Sequence, residues 1–316
     1  MIRSLCTLWR QHRAGHSGPG PARPARQQGM AIIGALVVVA AASIVTGAIM
    51  ERQALLADAL AGERDRAQAK WLLRGGLDWS RIILFNDARR NAVTRKDAIW
   101  AQPIVGLEVG TPDDARKAYF SGQIEDEQGK YNLGNLADNG RVLPDEQFVL
   151  EQMLGGLGIS AALAGAIAQR VADGQARGDG QAAPGLRTLG DLLGLDGMTP
   201  EIANRLGPYL TILPRKTTVN ANTASAEVLS ARVPGLDLAQ ARDLADQRDR
   251  GQWFTSRADF FNRLGNPAIK PGNQIGVASE WFKVTGEVTL DHAVAAMQAL
   301  LHRQAGRPPV ILWIKG

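Results

Sequence analysis

The sequence is short of the residues from which most active sites and cross-links are built. Cysteine occurs once in 316 residues, as Cys6. It stands among the first 29 residues, so a chain cut after them holds no disulfide and no thiolate metal site. Histidine occurs four times. His12 and His16 share that leader, and His292 and His302 lack the spacing of a metal-ligand pair. Neither a Gly-x-Ser-x-Gly elbow nor a P-loop is present. Gly156-x-Gly158-x-x-Ala161 has the letters of a dinucleotide fingerprint, but it lies behind a helical pattern rather than a strand and reads as a hairpin turn. These absences point away from an enzyme.

Acidic residues are missing from the leader, which carries Arg3, Arg10, Arg13, Arg23 and Arg26. The whole chain has a formal charge of +5 and a pI near 9.6. Five of its 36 basic residues are those arginines, and without them 31 basic residues face 31 acidic ones. The basicity is therefore a topology signal, and the remainder has no net attraction for phosphate, which argues against a nucleic-acid partner. Charge and proline are both absent from Met30 to Met50, a run of 21 residues. As a helix it is about 32 Å long, enough to cross a bilayer's hydrocarbon core. The positive-inside rule keeps the leader cytoplasmic and exports the chain beyond Met50.

The junction Arg26-Gln27-Gln28-Gly29-Met30 resembles a type IV prepilin signal. Such leaders are cut on the cytoplasmic side by prepilin peptidase. The resemblance places the cut between Gly29 and Met30 and implies N-methylation of Met30. The fifth mature position, usually Glu in prepilins, is Gly34. Two other readings stand beside this one. One is an uncleaved signal anchor. The other is a secretory signal cut after Ala48, where Thr46-Gly47-Ala48 offers small residues.

No proline occurs between Met30 and Pro103, so the apolar run is expected to continue as an amphipathic helix to about Asn86. Leu56, Leu60, Ala67 and Trp71 fall at helical spacing, Trp71 and Trp79 read as core, and Gly75-Gly76 is a place to bend or break. Residues 101–116 read as a loop. Tyr119 to Tyr131 reads as strand, turn, strand, with Glu127-Gln128-Gly129-Lys130 as the turn. Three helix–turn–helix units come next, with turns at Gly155–Gly158, Gly194–Gly197 and Val233–Leu236. Thr199, Asp237 and Ser256 mark helix starts. Trp281 to Leu290 reads as a strand, Ala293 to Gln304 as a strand or a short helix, and Val310 to Ile314 as a last strand. A β–α–β order of this kind suggests an α+β body with a helical insertion.

Two binding motifs are weak. Val233-Pro234-Gly235-Leu236 resembles a helix-hairpin-helix, whose DNA-binding versions offer backbone N–H groups to a phosphate, but Asp237 puts a negative charge there. Asp173 and Asp179 lie in a Gly-rich stretch and are calcium candidates, although two carboxylates are fewer than Ca²⁺ prefers.

Longer segments resemble the type II secretion minor pseudopilin K family, also called general secretion pathway protein K. They are Tyr131-Asn132-Leu133-Gly134-Asn135-Leu136, Thr188 to Leu193, Gly197-Met198-Thr199-Pro200, Pro208 to Pro214, and Val219-Asn220-Ala221-Asn222-Thr223-Ala224 with Glu227-Val228-Leu229. The resemblance implies an α+β fold: a pilin-like long N-terminal helix packed on a small antiparallel sheet, with a large helical insertion of two SAM-like units. It implies a leader at 1–29, a transmembrane half-helix at 30–50, and the helix continuation and first part of the body at 51–128. The SAM-like units fall at 129–216 and 217–278, and the C-terminal strands at 279–316. The run Gln169-Arg170-Val171-Ala172-Asp173 departs from the Asp-Trp-(Ile/Leu)-Asp motif that the family carries beside its calcium loop.

The family's function would make the chain a non-enzymatic tip component of a pseudopilus. It would be a single-pass inner-membrane protein with a periplasmic body. The implied partners are minor pseudopilins I and J, the major pseudopilin, prepilin peptidase, and the secretin or exported proteins. Gly34 would be the tip-determining position. A membrane-anchored helix-hairpin-helix DNA receptor and a minor pilin of a type IV pilus are the other readings.

Overall fold

The computed structural model describes residues 27–110, 117–175, 183–266, 268–269, 272–290 and 293–316. The chain divides into two compact units, Met1–Ala61 and Gly62–Gly316. Helix α1, Gln27–Arg90, contributes to both. In the first unit, residues 30–61 are exposed along an unbroken helix. By length and composition this is a helix that can cross a membrane.

The second unit contains a five-stranded antiparallel sheet and a helical insertion. In chain order come β1 (Ile104–Val109), β2 (Ala118–Asp126), β3 (Tyr131–Asn132), β4 (Ala137–Asp138) and β5 (Arg141–Val142). Next are helices α2 (Pro144–Gly156), α3 (Ala162–Gln175) and α4 (Pro200–Leu206), then β6 (Leu210–Thr211) and β7 (Val219–Asn220). Helices α5 (Ala226–Arg232), α6 (Leu238–Asp249) and α7 (Arg257–Arg263) lead to β8 (Ile275–Gly276), β9 (Trp281–Leu290), β10 (Ala293–His302) and β11 (Val310–Lys315). The sheet order is β1-β2-β9-β10-β11. Strands β2 and β9 pair from Ala118 with Leu290 to Asp126 with Phe282.

The sheet packs on the α1 residues of this unit. Ala69, Leu73, Leu77 and Leu84 recur at helical spacing and bury against Ile124, Phe282, Val284, Val288, Ala299 and Leu301. This stripe is not the one the sequence suggests. Trp71 is 77% exposed and Trp79 49% exposed, so neither is a core residue here. Helix α1 also runs through Gly75-Gly76 without a break and ends at Arg90. The glycine at 76 serves close approach instead. A Cβ on Gly76 would lie 2.6 Å from the Phe120 ring. Gly122, which pairs with Gly286 across β2 and β9, leaves room for the same ring. Three glycines thus make a notch that one phenyl group fills.

Residues 104–109, expected as loop, form edge strand β1. Its register with β2 is irregular between Ile104 and Leu107, and Gly106 between them has φ +61°. A bulge on a glycine breaks the alternation by which a strand is read from sequence. The strand-turn-strand reading of 119–131 is half right. Strand β2 is there, but β3 leaves the sheet and pairs in parallel with β6. Of the two readings for 293–304, the strand is the one found.

In the insertion the turn glycines behave as their positions require: Gly158, Gly197 and Gly235 all have positive φ. Thr199, Ser225, Asp237 and Ser256 each cap a helix through their side chains. The segment at Leu189–Leu192 is a single 3-10 turn closed by a capping box from Thr188 and Asp191. One hydrophobic cluster runs from Tyr131, Leu150 and Ile167 through Val228 and Leu244 to Phe254, Phe260 and Ile275. Both halves of the insertion therefore share a core.

Candidate functional site: a buried polar joint

The feature that sets how the insertion sits on the sheet is a cluster of polar groups where they meet. Its centre is Asp126, the last residue of β2. Oδ1 accepts from the Gln128 backbone N–H at 2.8 Å. Oδ2 accepts from the hydroxyls of Thr223 and Ser279, both at 2.6 Å, and from Asn220 Nδ2 at 3.0 Å. Burial pushes the Asp126 carboxyl above the usual range, and the four hydrogen bonds only partly offset it.

Asn220 brings in the rest. Its Nδ2 also reaches the Thr94 carbonyl at 3.1 Å and Ser279 Oγ at 2.9 Å, and its Oδ1 accepts from the Asn222 N–H at 3.0 Å. Asn222 exchanges two bonds with the Phe254 backbone, at 2.9 and 2.7 Å. Arg248 of α6 donates to the carbonyls of Ala221 and Ala224 at 2.9 and 2.6 Å. The segment 219–224 is thus fixed to the sheet on one side and to the helices on the other. Strand β7 extends it by parallel pairing with β8.

Thr94 and Arg303 close the sheet side. Thr94 Oγ1 accepts from the Ser279 N–H at 3.0 Å and from Arg303 Nη2 at 2.6 Å. Arg303 also donates to the Ser279 carbonyl and pairs with Asp87 of α1 at 3.1 Å, with its guanidinium 4.7 Å from the Phe282 ring. Its pKa is lowered by burial, with Asp87 pulling the other way.

A second clamp joins the first half of the insertion to the segment before β7. Asn132 accepts from the N–H groups of Gly134 and Leu213 and donates to the Arg215 carbonyl. Asn135 exchanges bonds with the backbone of Thr217, at 2.9 and 3.0 Å. Glu127 accepts from the Thr211 hydroxyl and pairs with Lys130 at 2.7 Å. Each group is met by another of the same chain, so the chemistry here is that of a rigid mount rather than of a reacting centre.

The residues singled out from sequence lie elsewhere. Gly29, Met30 and Gly34 are all on α1, and Met30 is exposed. A Cβ on Gly34 would meet nothing within 4 Å. Asp173, near the end of α3, accepts from Gln169 Nε2 at 2.7 Å, and Asp179 lies outside the described residues. Among the described residues no three His, Cys, Asp or Glu side chains gather as a metal site. At the hairpin turn Asp237 accepts from the Gln240 N–H at 2.8 Å, which occupies a donor that a phosphate would need.

The joint itself is not visible from the sequence pattern. Reading Glu127–Lys130 as a turn puts its residues beside solvent, whereas Asp126, Glu127 and Gln128 are buried. The signal that could have found it is the pairing of that acidic run with Asn220, Asn222 and Thr223, three polar residues within one short segment.

Two family models, each described as Type II secretion system (T2SS), protein K, match residues 129–215 and 219–284. The first covers the Asn132 clamp and the second the Asn220 side of the joint. The chain belongs to the type II secretion system protein K family. Relatives named type II secretion system protein K agree over nearly the whole length. The one from Pseudomonas aeruginosa is 28% identical over 303 residues, covering 88% of this chain and 89% of its own. That from Klebsiella pneumoniae is 27% identical over 314 residues, covering 88% and 93%. The fold matches a chain in the crystal structure of the GspK-GspI-GspJ complex from enterotoxigenic Escherichia coli, with a TM-score of 0.58 and 17% identity. That match covers 80% of this chain and 97% of the other. In this protein K chain the Asn220 and Asn132 segments, noticed first as sequence signatures, are the joinery of the fold.

Proposed function

We propose that this protein K family member is a minor pseudopilin that occupies the tip of a pseudopilus, beside minor pseudopilins I and J, and starts its assembly for export across the outer membrane. Residues 30–50 anchor it in the inner membrane, with the N-terminus cytoplasmic and the body periplasmic. Prepilin peptidase cuts between Gly29 and Met30, and Met30 is then N-methylated. The major pseudopilin stacks below it, and the secretin and the exported proteins lie ahead of it.

The observation that carries the tip reading is Gly34. In prepilins the carboxylate at this position lies inside the bilayer, a costly placement unless it is paired. Its partner is the N-terminal ammonium of the next subunit towards the tip. A subunit with no neighbour beyond it has nothing to pair, and glycine removes the cost. The chain's own packing does not demand glycine, since a side chain there meets nothing. Exposed Trp71, Trp79 and Ile82 on α1 leave apolar surface for the neighbouring pseudopilins. The solved complex that joins GspK with GspI and GspJ supports those two as the neighbours.

Mass spectrometry of the purified protein and site-specific crosslinking from α1 test this together. The expected product starts at methylated Met30 and crosslinks to I and J at one copy per filament. Crosslinks in many copies along the shaft would refute tip placement, and an intact leader would refute the processing.

A further inference from the structure

The helical insertion carries a groove away from the joint, with a volume of about 720 Å³. One wall is α2, with Asp145, Phe148 and Val149, and the other is the α5–α6 hairpin, with Glu227, Leu236 and Asp237. Phe148 is 57% exposed, although it is a large apolar residue, next to the buried Val149 and Leu150 of the same helix. Val149, Met153 and Leu236 are buried and form an apolar floor.

The rim has one sign of charge. The groove holds the carboxylates of Asp145, Glu146, Glu227 and Asp237, against the single guanidinium of Arg232. Arg232 is committed to Glu146 through bonds of 2.6 and 3.0 Å. Among the described residues the basic partner of Glu227 is the exposed Arg242, at a long 3.7 Å. Asp145 has no basic partner among the described residues. An apolar floor beneath unneutralised carboxylates favours a cation that also carries apolar surface, and it repels phosphate. This is the same hairpin whose sequence suggests DNA binding, with the charge reversed.

We propose that this groove takes a short cationic segment of a partner protein, with one large apolar side chain packed against Phe148 and flanking lysines or arginines on the rim. The inference does not depend on where the chain sits in a filament. The full chain in zwitterionic nanodiscs is titrated into fluorescein-labelled Lys-Lys-Leu-Phe-Lys-Lys, with empty nanodiscs subtracted. The controls are Glu-Glu-Leu-Phe-Glu-Glu and a labelled DNA duplex. Saturable binding of the cationic peptide alone is expected, weakened about tenfold by Asp145→Lys and by Phe148→Ser. Both sites are exposed, so both variants keep the fold, and circular dichroism checks that. Absence of saturable binding, equal binding of the anionic peptide, tighter binding of the duplex, or binding that survives either substitution would overturn the proposal.

Discussion

Replacing Asp126 with alanine removes the acceptor for four buried or half-buried donors at once. Two of them keep an alternative. Asn220 Nδ2 still has the Thr94 carbonyl, and the Thr223 hydroxyl stands 3.5 Å from the Asn220 carbonyl. The Gln128 N–H and the Ser279 hydroxyl are left without an acceptor. Each stranded donor costs about 1–3 kcal/mol, so the variant is expected to lose roughly 2–6 kcal/mol, less what is recovered by no longer burying a carboxylate. Thermal unfolding with native-state hydrogen exchange measures it. Protection should fall at the amides of Thr94, Asn222 and Ser279, while the amides of α3 keep theirs. The pH dependence gives a second check. Because the folded pKa of Asp126 is raised, the native state binds its proton more readily than the unfolded chain does. Its contribution is full below the unfolded value and is lost as pH rises through the folded one, so the gap between wild type and Asp126→Ala narrows across that window. An unchanged melting temperature, or protection lost evenly over the whole insertion, would show that the joint does not hold the two parts together.

Two further variants test the packing. Gly76→Val drives a side chain into the Phe120 ring and should destabilise by about 1–3 kcal/mol, with most of the loss restored by Phe120→Ala in the same chain; equal melting temperatures for wild type and Gly76→Val would contradict the notch. Arg232→Met leaves Glu146 without its cation in a site where Arg232 is 5% exposed, and chemical denaturation should register a loss of about 3–5 kcal/mol, largely recovered by adding Glu146→Leu. A double variant as weak as the single one would mean that the pair is not the source of the loss.

What could be read from the sequence was whatever depended on neighbours along the chain. Caps at Thr199, Asp237 and Ser256 and turns at Gly158 and Gly235 are local chemistry, and they stand where their residues predict. Strand β9 keeps its alternation, with Val284, Val288 and Leu290 buried. What could not be read needed partners far away. Which stripe of α1 is buried depends on the sheet, so Leu73 and Leu77 rather than Trp71 face inward. Gly76 resembles a helix breaker until Phe120, on another element, is known to need its space. Asp126 finds its partners at Asn220, Thr223 and Ser279, about 90 to 150 residues on, and no periodicity reports such a meeting. The residues read as a prepilin junction, Gly29 and Met30, would be recognised by another protein rather than by a partner within this chain.

The pairing of β2 with β9 has the register of a simple hairpin, closing at Asp126 and Phe282. Its connection is the whole helical insertion. If that connection were slack, each doubling of its length would cost about 0.6 kcal/mol, and about five doublings separate it from a four-residue turn, roughly 3 kcal/mol. The insertion is not slack. Glu280 N–H donates to Gln128 Oε1 at 2.6 Å, so the domain hands back its two ends as neighbours. To the sheet it is therefore equivalent to a tight turn, whatever its size. Growth, shrinkage or wholesale exchange of the helices is invisible to the pilin-like body so long as those two ends stay together, which makes the cargo of this hairpin free to diverge while its frame is held constant.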